Sequence, residues 1–199
     1  MSTLPILHPG SARGYKTKGH CPPPPRGAPG RPWALGPTTE GAFLKIWIDA
    51  DATPRDVKEI VFRAAKRLSL PVVLVANQPL RTPANNALVT AVWVDGGADV
   101  ADQHIAAEAM PGDLVVTQDV PLAALLVPKG VTVLDPRGEE HTAETIGERL
   151  SIRDFMEQAR IAGVVTGGPA PFGAGDKQAF AGALDRALTR LTRGARLRP

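Results

Sequence analysis

Residues 44–54, which read LKIWIDADATP, decide the fold class of this chain. The first half is a short apolar run, typical of a strand that is buried on both faces. Asp49 and Asp51 follow that run at once, and Pro54 suits the first position of a helix, where its missing N–H costs nothing. We expect Thr53 to cap this helix. A buried strand that gives way directly to a helix predicts the basic unit of an α/β protein.

The same alternation continues along the chain as far as residue 135, after which only helical patterns follow. Because parallel strands need crossover helices between them, this order predicts a mostly parallel sheet with helices on both faces, plus C-terminal helices. Strands are predicted at residues 44–48, 71–76, 88–94, 114–117 and 131–134. Helices are predicted at residues 54–68, 100–110, 121–127, 143–149, 152–162 and 177–192.

The two ends of the chain differ from its middle. Residues 1–43 contain nine prolines and no apolar period, which predicts a disordered tail, and a start site assigned too early would explain the abrupt change. We place one domain at 44–192 and a basic tail at 193–199. The net charge of +3 combines basic ends with an acidic middle. Basic ends attract phosphate backbones, although a charge run is more often only solvated.

Composition excludes several classes of protein. The chain has no run of about 18 apolar residues, which predicts no membrane-spanning helix. It has no secretory signal pattern, so we expect a cytoplasmic location. A single cysteine, Cys21, excludes an internal disulfide and a zinc site built from several thiolates.

Acidic residues fall where the carboxyl ends of the predicted strands meet, which is where open α/β sheets bind ligands. Taken singly, each is typical of a turn or a helix cap. Gathered carboxylates repel one another unless a cation lies among them, and oxygen ligands suit Mg²⁺ or Mn²⁺. We therefore expect a metal site that binds a phosphodiester and activates water. Its candidate ligands are Asp49, Asp51, Asp99, Asp102 and Asp119.

Two side chains outside this acidic set bear on the site. Arg137, between a proline and a glycine, is a candidate contact for a phosphate, although it can equally face solvent. His104 lies two residues past Asp102, but a structural role is the commoner one for a partly buried histidine. Trp47 and Trp93 both fall in predicted buried strands, so we expect few exposed aromatic rings for stacking on bases.

Five separated motifs, in order, resemble the YaiI/YqxD family. The resemblance covers nearly all of residues 44–190 and implies a PIN-like three-layer α/β fold, related to metal-dependent nucleases. One departure is that the family usually has cysteine at the position of Thr53, so a thiol there cannot be essential to this protein. The motifs are IWIDADATP (46–54), GADVADQHIA (97–106), PGDLVVTQDVPLAALL (111–126), DPRGEEHT (135–142) and TGGPAPF (166–172).

The resemblance also implies which acids act. PIN-like nucleases place an aspartate after the first strand, an acid in a central helix, and an aspartate in a T-x-D setting after a later strand. The matching positions are Asp49, then Asp99 or Asp102, and Asp119. The resemblance thus implies Asp49, Asp102 and Asp119 as catalytic residues with Mg²⁺ or Mn²⁺, and RNA or another single-stranded nucleic acid as the partner.

Two alternatives stay open from the sequence. Residues 49–53 also resemble the D-x-D-x-T motif of haloacid-dehalogenase-type phosphatases, in which Asp49 would be the nucleophile, Asp51 the acid/base and Thr117 the phosphate contact. That fold needs a later strand ending in paired acids, whereas Asp176 follows a Gly/Pro-rich segment. The other alternative is a non-catalytic module that binds RNA or protein, because fold does not fix function.

Overall fold

The computed structural model describes residues 44–78, 82, 86–94, 97, 99–163 and 170–196, which belong to one compact unit. The predicted tail at 1–43 lies outside the described residues. Along the chain the elements are β1 (Ile46–Asp49), α1 (Arg55–Leu68), β2 (Val72–Ala76), β3 (Val89–Trp93), α2 (Val100–Glu108), β4 (Leu114–Val116), α3 (Val120–Leu126), β5 (Thr132–Leu134), β6 (Glu140–His141), α4 (Ile146–Ile161) and α5 (Ala174–Arg196).

The six strands form one sheet in the order β3-β2-β1-β4-β5-β6. The first five are parallel, and β6 pairs antiparallel with β5. Starting from β1, the chain adds β2 and then β3 on one side of that strand. It then returns to add β4 on the other side of β1. The boundary between β1 and β4 is therefore the switch point, outside which open α/β sheets bind ligands.

Helices cover both faces of this sheet, so the architecture has three layers. On one face, α1 and α5 pack against side chains such as Ile48 and Leu74, with Phe180 of α5 fully buried. On the other face, α2 and α3 pack against alternate strand residues, among them Trp47 and Val115. Because both faces are buried, the central strands read as continuous apolar runs in the sequence. The predicted α/β class and mostly parallel sheet are confirmed.

The first helix forms as its pattern predicts but begins differently at its N-terminus. Its buried side chains Val57, Val61 and Ala65 recur every four residues, which is the spacing of one helix face. Pro54 occupies the N-cap position, and no side chain caps the helix. The predicted capping role of Thr53 is therefore wrong, because its hydroxyl is buried and has no hydrogen-bond partner.

Four further predictions need correction. A strand does follow residue 135, since β6 closes a short hairpin with β5; two residues are too few to show a period of their own. The two helices predicted at 143–149 and 152–162 are one helix, α4. Helix α5 continues to Arg196, so the predicted basic tail begins as helix. Trp93 was expected in a buried strand, but β3 is an edge strand and 68% of Trp93 is exposed.

A buried carboxylate fastens the amino end of the sheet. Asp113, 3% exposed, accepts hydrogen bonds from the backbone N–H of Lys45 (2.9 Å), the indole N–H of Trp47 (3.0 Å) and the backbone N–H of Met110 (3.0 Å). These bonds join β1, β4 and the end of α2. In the sequence, Pro-Gly-Asp is typical of an ordinary turn, so this residue gave no sign of its role.

Among the described helices, none is both long and apolar enough to cross a bilayer.

Candidate metal centre

The carboxyl ends of β1 and β4 bring three predicted site residues into one hydrogen-bonded group. Asp49 ends β1 and Thr117 follows β4, and the two strands are neighbours in register at Ile48 and Val116. The Thr117 hydroxyl donates to Oδ2 of Asp49 (3.3 Å) and accepts the backbone N–H of Asp119 (3.0 Å). Thr117 is completely buried. It therefore holds the two aspartates at a fixed spacing across the switch point.

Asp119 has a second role as the N-cap of α3. Its Oδ1 accepts the backbone N–H of Leu122 (2.7 Å), which satisfies one of the free donors of the first helical turn. This bond fixes the carboxylate at the start of the helix, where the helix dipole favours negative charge. In the T-x-D motif predicted from the sequence, the Thr117 hydroxyl therefore bonds to the backbone of Asp119, and the Asp119 side chain caps α3.

The carboxyl group of Asp49 lies in a poorly solvated position. The residue is 7% exposed, and burial raises the pKa of Asp49 above its ordinary value. Hydrogen bonds from the Ala52 N–H (3.4 Å) and the Thr117 hydroxyl oppose that rise, and the negative charge of Asp51 adds to it. The buried position therefore disfavours an isolated negative charge, which a nearby cation would stabilise.

Helix α2 supplies the acid that faces this pair. Burial is the largest of the causes that raise the pKa of Asp102 from 3.8 to about 6, followed by the negative charges of Asp119, Asp49 and Asp99 in that order. Carboxylates from β1, from α2 and from the start of α3 therefore repel one another at one place. Four of the five predicted ligands therefore lie in one electrostatic neighbourhood, because the charges of Asp49, Asp99 and Asp119 all act on Asp102.

The two outer acids are more solvated. Asp51 is exposed, and its Oδ2 accepts the backbone N–H of Asn77 (2.7 Å), which ties the loop after β1 to the end of β2. Asp99 is exposed as well and precedes α2 in the left-handed region, with φ of 63°. Its side chain makes no cap bond. Both acids add negative charge at the rim of the centre, and Asp51 also has a structural bond.

Thr117 and Arg137, the two predicted substrate contacts, both form hydrogen bonds within the protein. Thr117 is buried with its hydroxyl bonded on both sides, so its position favours holding the acids over touching a phosphate. Arg137 donates to Oδ1 of Asp176 (3.2 Å) and to the carbonyl oxygen of Ala170. These bonds fasten the turn after β5 to the start of α5, while 38% of the Arg137 side chain stays exposed. A contact from either residue to substrate stays a prediction.

Asp135 and His104 have different surroundings. Asp135 follows β5 at the same end of the sheet, and burial raises its pKa, against a bond from the Arg137 N–H (2.6 Å). Its place in a Pro-Gly turn concealed it among ordinary turn aspartates. His104 lies edge-on to the ring of Trp47, with centroids 6.3 Å apart. That contact is the structural role expected for a partly buried histidine.

The donor atoms of the centre suit a hard divalent cation. They are carboxylate oxygens, which Mg²⁺ and Mn²⁺ prefer, and their mutual repulsion is what a cation relieves. In the part of the chain that the structure describes, no three His, Cys, Asp or Glu side chains are arranged as a ready ligand set. The chemistry and charge of these carboxylates suit a divalent cation, whereas their side-chain positions do not assemble three ligands around one point.

Comparison with known proteins gives relatives along nearly the whole folded part. The family model described as the uncharacterized YaiI/YqxD family matches residues 47–190. A UPF0178 protein of Myxococcus xanthus (strain DK1622) is 59% identical over 150 residues, covering 75% of this chain and 97% of the relative. UPF0178 proteins of Trichlorobacter lovleyi and Bordetella avium are each 56% identical, over 153 residues (77% of this chain, 99% of the relative) and 147 residues (74% and 95%).

No solved structure matches the chain. The matched residues include the strands, the helices α1 to α4, most of α5, and every acid of the candidate centre. The family match therefore extends over the folded unit and over the site itself. This chain belongs to the YaiI/YqxD family.

Proposed function

We propose that this protein is a Mg²⁺- or Mn²⁺-dependent nuclease that cleaves phosphodiester bonds, preferably in RNA, at the acidic centre between β1 and β4. The observation that carries the proposal is the hydrogen-bonded group of Asp49, Thr117 and Asp119 at the switch point, with Asp102 facing both acids. The resemblance to PIN-like nucleases, in which acids occupy matching positions, also supports a metal-dependent nuclease.

The residues divide the chemistry between them. Asp49, Asp102 and Asp119 would hold the cation, which when bound would polarise a phosphodiester and lower the pKa of a water molecule. Thr117 keeps two of these carboxylates in place through its bonds to Asp49 and to the backbone of Asp119. Burial and the charges of Asp119, Asp49 and Asp99 raise the pKa of Asp102 to about 6, and a cation held at this place would favour the charged form of that carboxyl.

The phosphatase alternative receives little support from the fold. The acid that would have to follow a late strand, Asp176, lies instead in the first turn of α5. Its carboxylate accepts the Gly173 N–H (2.7 Å) and pairs with Arg137, which are bonds of a helix start. The non-catalytic alternative, a module that binds RNA or protein, is separated from the nuclease by whether the acids matter for activity.

Cleavage of end-labelled single-stranded RNA and DNA by the purified chain tests the proposal. We expect cleavage with Mg²⁺ or Mn²⁺ and none with EDTA. Asp119→Asn should lower the rate by at least about a hundredfold, because it weakens an electrostatic ligand at the reacting centre. Asp154→Asn, an exposed aspartate of α4, is the matched control and should cleave like the unaltered protein. Equal cleavage by both variants would mean a contaminating nuclease.

Binding of the cation has a readout that does not depend on cleavage. Mn²⁺ should raise the melting temperature of the unaltered protein in a concentration-dependent way, since a ligand of the folded state alone stabilises it. Asp102→Asn should reduce that rise, and Asp154→Asn should not. A folded protein whose melting temperature ignores Mn²⁺ and that cleaves neither nucleic acid would favour the non-catalytic binding module.

A further inference from the structure

Trp93 ends the edge strand β3 with its ring in solvent. The residue is 68% exposed, whereas Trp47, in the middle of the sheet, is 5% exposed. A fixed and exposed tryptophan at the ligand-binding edge of the sheet offers an aromatic face on which a ligand can stack. Resting on the proposed nuclease function, we propose that Trp93 is a stacking platform for a base of single-stranded nucleic acid.

Trp93 ends its strand at the same edge of the sheet as the acidic centre, although its side chain leaves β3 on the α1 face and that of Asp49 leaves β1 on the α2 face. Trp93 pairs with Ala76 of β2, and β2 in turn pairs with β1, which ends in Asp49. Neighbouring strands lie about 4.8 Å apart, so the backbone of Trp93 is on the order of 10 Å to the side of Asp49. Both residues end their strands at the carboxyl edge, which is the edge that binds ligands in this class of sheet.

The indole ring is held at this edge by a hydrogen bond. Its N–H donates to the carbonyl oxygen of Asn77 (3.2 Å). The backbone N–H of Asn77 in turn donates to Asp51, in the loop directly after β1 (2.7 Å). Two hydrogen bonds through Asn77 therefore connect the ring of Trp93 to Asp51. A ring that is already fixed loses little side-chain entropy when a base stacks on it, which favours binding.

Cations lie along the same rim, on the side of the sheet covered by α1. Successive side chains of β3 alternate, and Trp93 leaves the strand on the same face as Val89, which packs with α1. On that face, the ammonium of Lys58 donates to the carbonyl oxygen of Ala50 in the loop after β1 (2.9 Å). Arg55, one turn of α1 earlier, pairs with Glu59 of the same helix (3.0 Å), and its side chain is 89% exposed. They suit backbone phosphates between a base on Trp93 and the acids.

The surroundings of Trp93 favour a base over a protein surface. Protein interfaces are built on apolar patches of several side chains. The exposed neighbours of Trp93 on β3 are Thr90 and Ala91, and the groups it meets at the rim are Asn77 and Asp51. Among the residues that the structure describes, Trp93 is a single ring beside small and polar groups, and its flat face is one that every base can use. Bases in a duplex are already stacked on both sides, so the structure favours a single strand.

Fluorescence anisotropy with the full chain tests this assignment separately from cleavage. The probes are a labelled oligouridylate and an abasic ribose-phosphate oligomer of the same length and charge. Binding is measured in EDTA and, in the Asp119→Asn background, in Mg²⁺. We expect the base-bearing strand to bind about tenfold more tightly than the abasic one, and Trp93→Ala to remove that difference. Trp93→Phe, which keeps a ring but loses the N–H, should retain part of it.

Phe155→Ala is the matched control, because Phe155 is also 68% exposed but lies on α4 in the other helical layer. It should leave both affinities unchanged. Melting temperatures of all variants should agree closely, since both rings are exposed. Equal affinity of the unaltered protein and Trp93→Ala for oligouridylate, or equal losses with Trp93→Ala and Phe155→Ala, would overturn the assignment. Base-dependent binding through Trp93 without any cleavage would leave the platform standing and reject the nuclease.

Discussion

The buried threonines Thr53 and Thr117 have opposite surroundings. The hydroxyl of Thr117 bonds to Asp49 and to the backbone of Asp119. The hydroxyl of Thr53, which is 4% exposed, has no hydrogen-bond partner in the described part of the chain. A buried polar group without a hydrogen bond destabilises the folded state, whereas one that joins two others contributes to it. The usual cysteine of the family at the Thr53 position is consistent with this, because a thiol has less need of a partner.

Thr53→Val should therefore stabilise the protein, because valine keeps the shape of threonine and removes the unpaired hydroxyl. We expect the free energy of unfolding to rise by about 1 kcal/mol, measured by urea denaturation. Thr117→Val is the matched comparison and should lower the free energy of unfolding by about 1 to 3 kcal/mol, since it leaves the Asp119 N–H without its acceptor. A loss of stability in Thr53→Val would mean that its hydroxyl is hydrogen-bonded after all.

At the scale of elements, the hairpin of β5 and β6 is fastened to α5 by close backbone contact. Gly138, in the turn of the hairpin, has φ of 89°, a conformation that suits glycine. A Cβ atom at this position would lie 2.6 Å from the carbonyl carbon of Ala179 in α5. Arg137 in the same turn bonds to Asp176 near the start of that helix. The turn and the helix therefore support each other, next to the acid Asp135.

Gly138→Ala should destabilise the protein strongly, by about 3 kcal/mol, because it adds backbone strain to a collision that no side-chain movement relieves. Gly147→Ala, in the first turn of α4, is the control: nothing lies within 4 Å of its Cβ position. That change should be neutral or stabilising by about 0.5 kcal/mol, since alanine favours helix. Thermal unfolding of the two variants compares them directly, and equal melting temperatures would show that the turn does not touch α5.

At the scale of the whole molecule, folding forces acids from separate elements together and so makes stability depend on pH. The pKa of Asp102 is about 6 in the folded chain and 3.8 when unperturbed. Between about pH 4 and pH 6 the folded chain keeps a proton that the unfolded chain has released. The contribution of this group to the free energy of unfolding therefore falls as pH rises through that window, and it stays lower above it.

Asp102→Asn should remove this part of the pH dependence. In the absence of divalent cations, we expect the variant to be more stable than the unaltered protein above about pH 6, by on the order of 1 kcal/mol after allowing for solvent screening, and to match it near pH 4. Urea denaturation across this pH range is the measurement. An unchanged difference between the two proteins at every pH would show that Asp102 titrates as an ordinary exposed aspartate.

The sequence by itself determined the class of fold and the acids of the candidate site. Apolar runs that alternate with helical periods specify buried parallel strands, and these periods are local properties of the chain. Asp49 was found because it follows an apolar run directly, and Asp119 because it lies two residues past the strand predicted at 114–117. The antiparallel β6 was missed because two residues carry no period. The helix α4 was divided at Leu150 and Ser151, although it runs unbroken from Ile146 to Ile161.

Only the tertiary structure decided which residues meet. Asp102 on a helix and Asp49 on a strand repel each other because the crossover connections place their elements side by side, a relation that sequence distance does not contain. The exposure of Trp93 follows from the strand order, which leaves β3 at the edge. The sequence of a strand shows which side chains favour burial. The position of the strand in the sheet decides whether other elements cover those side chains.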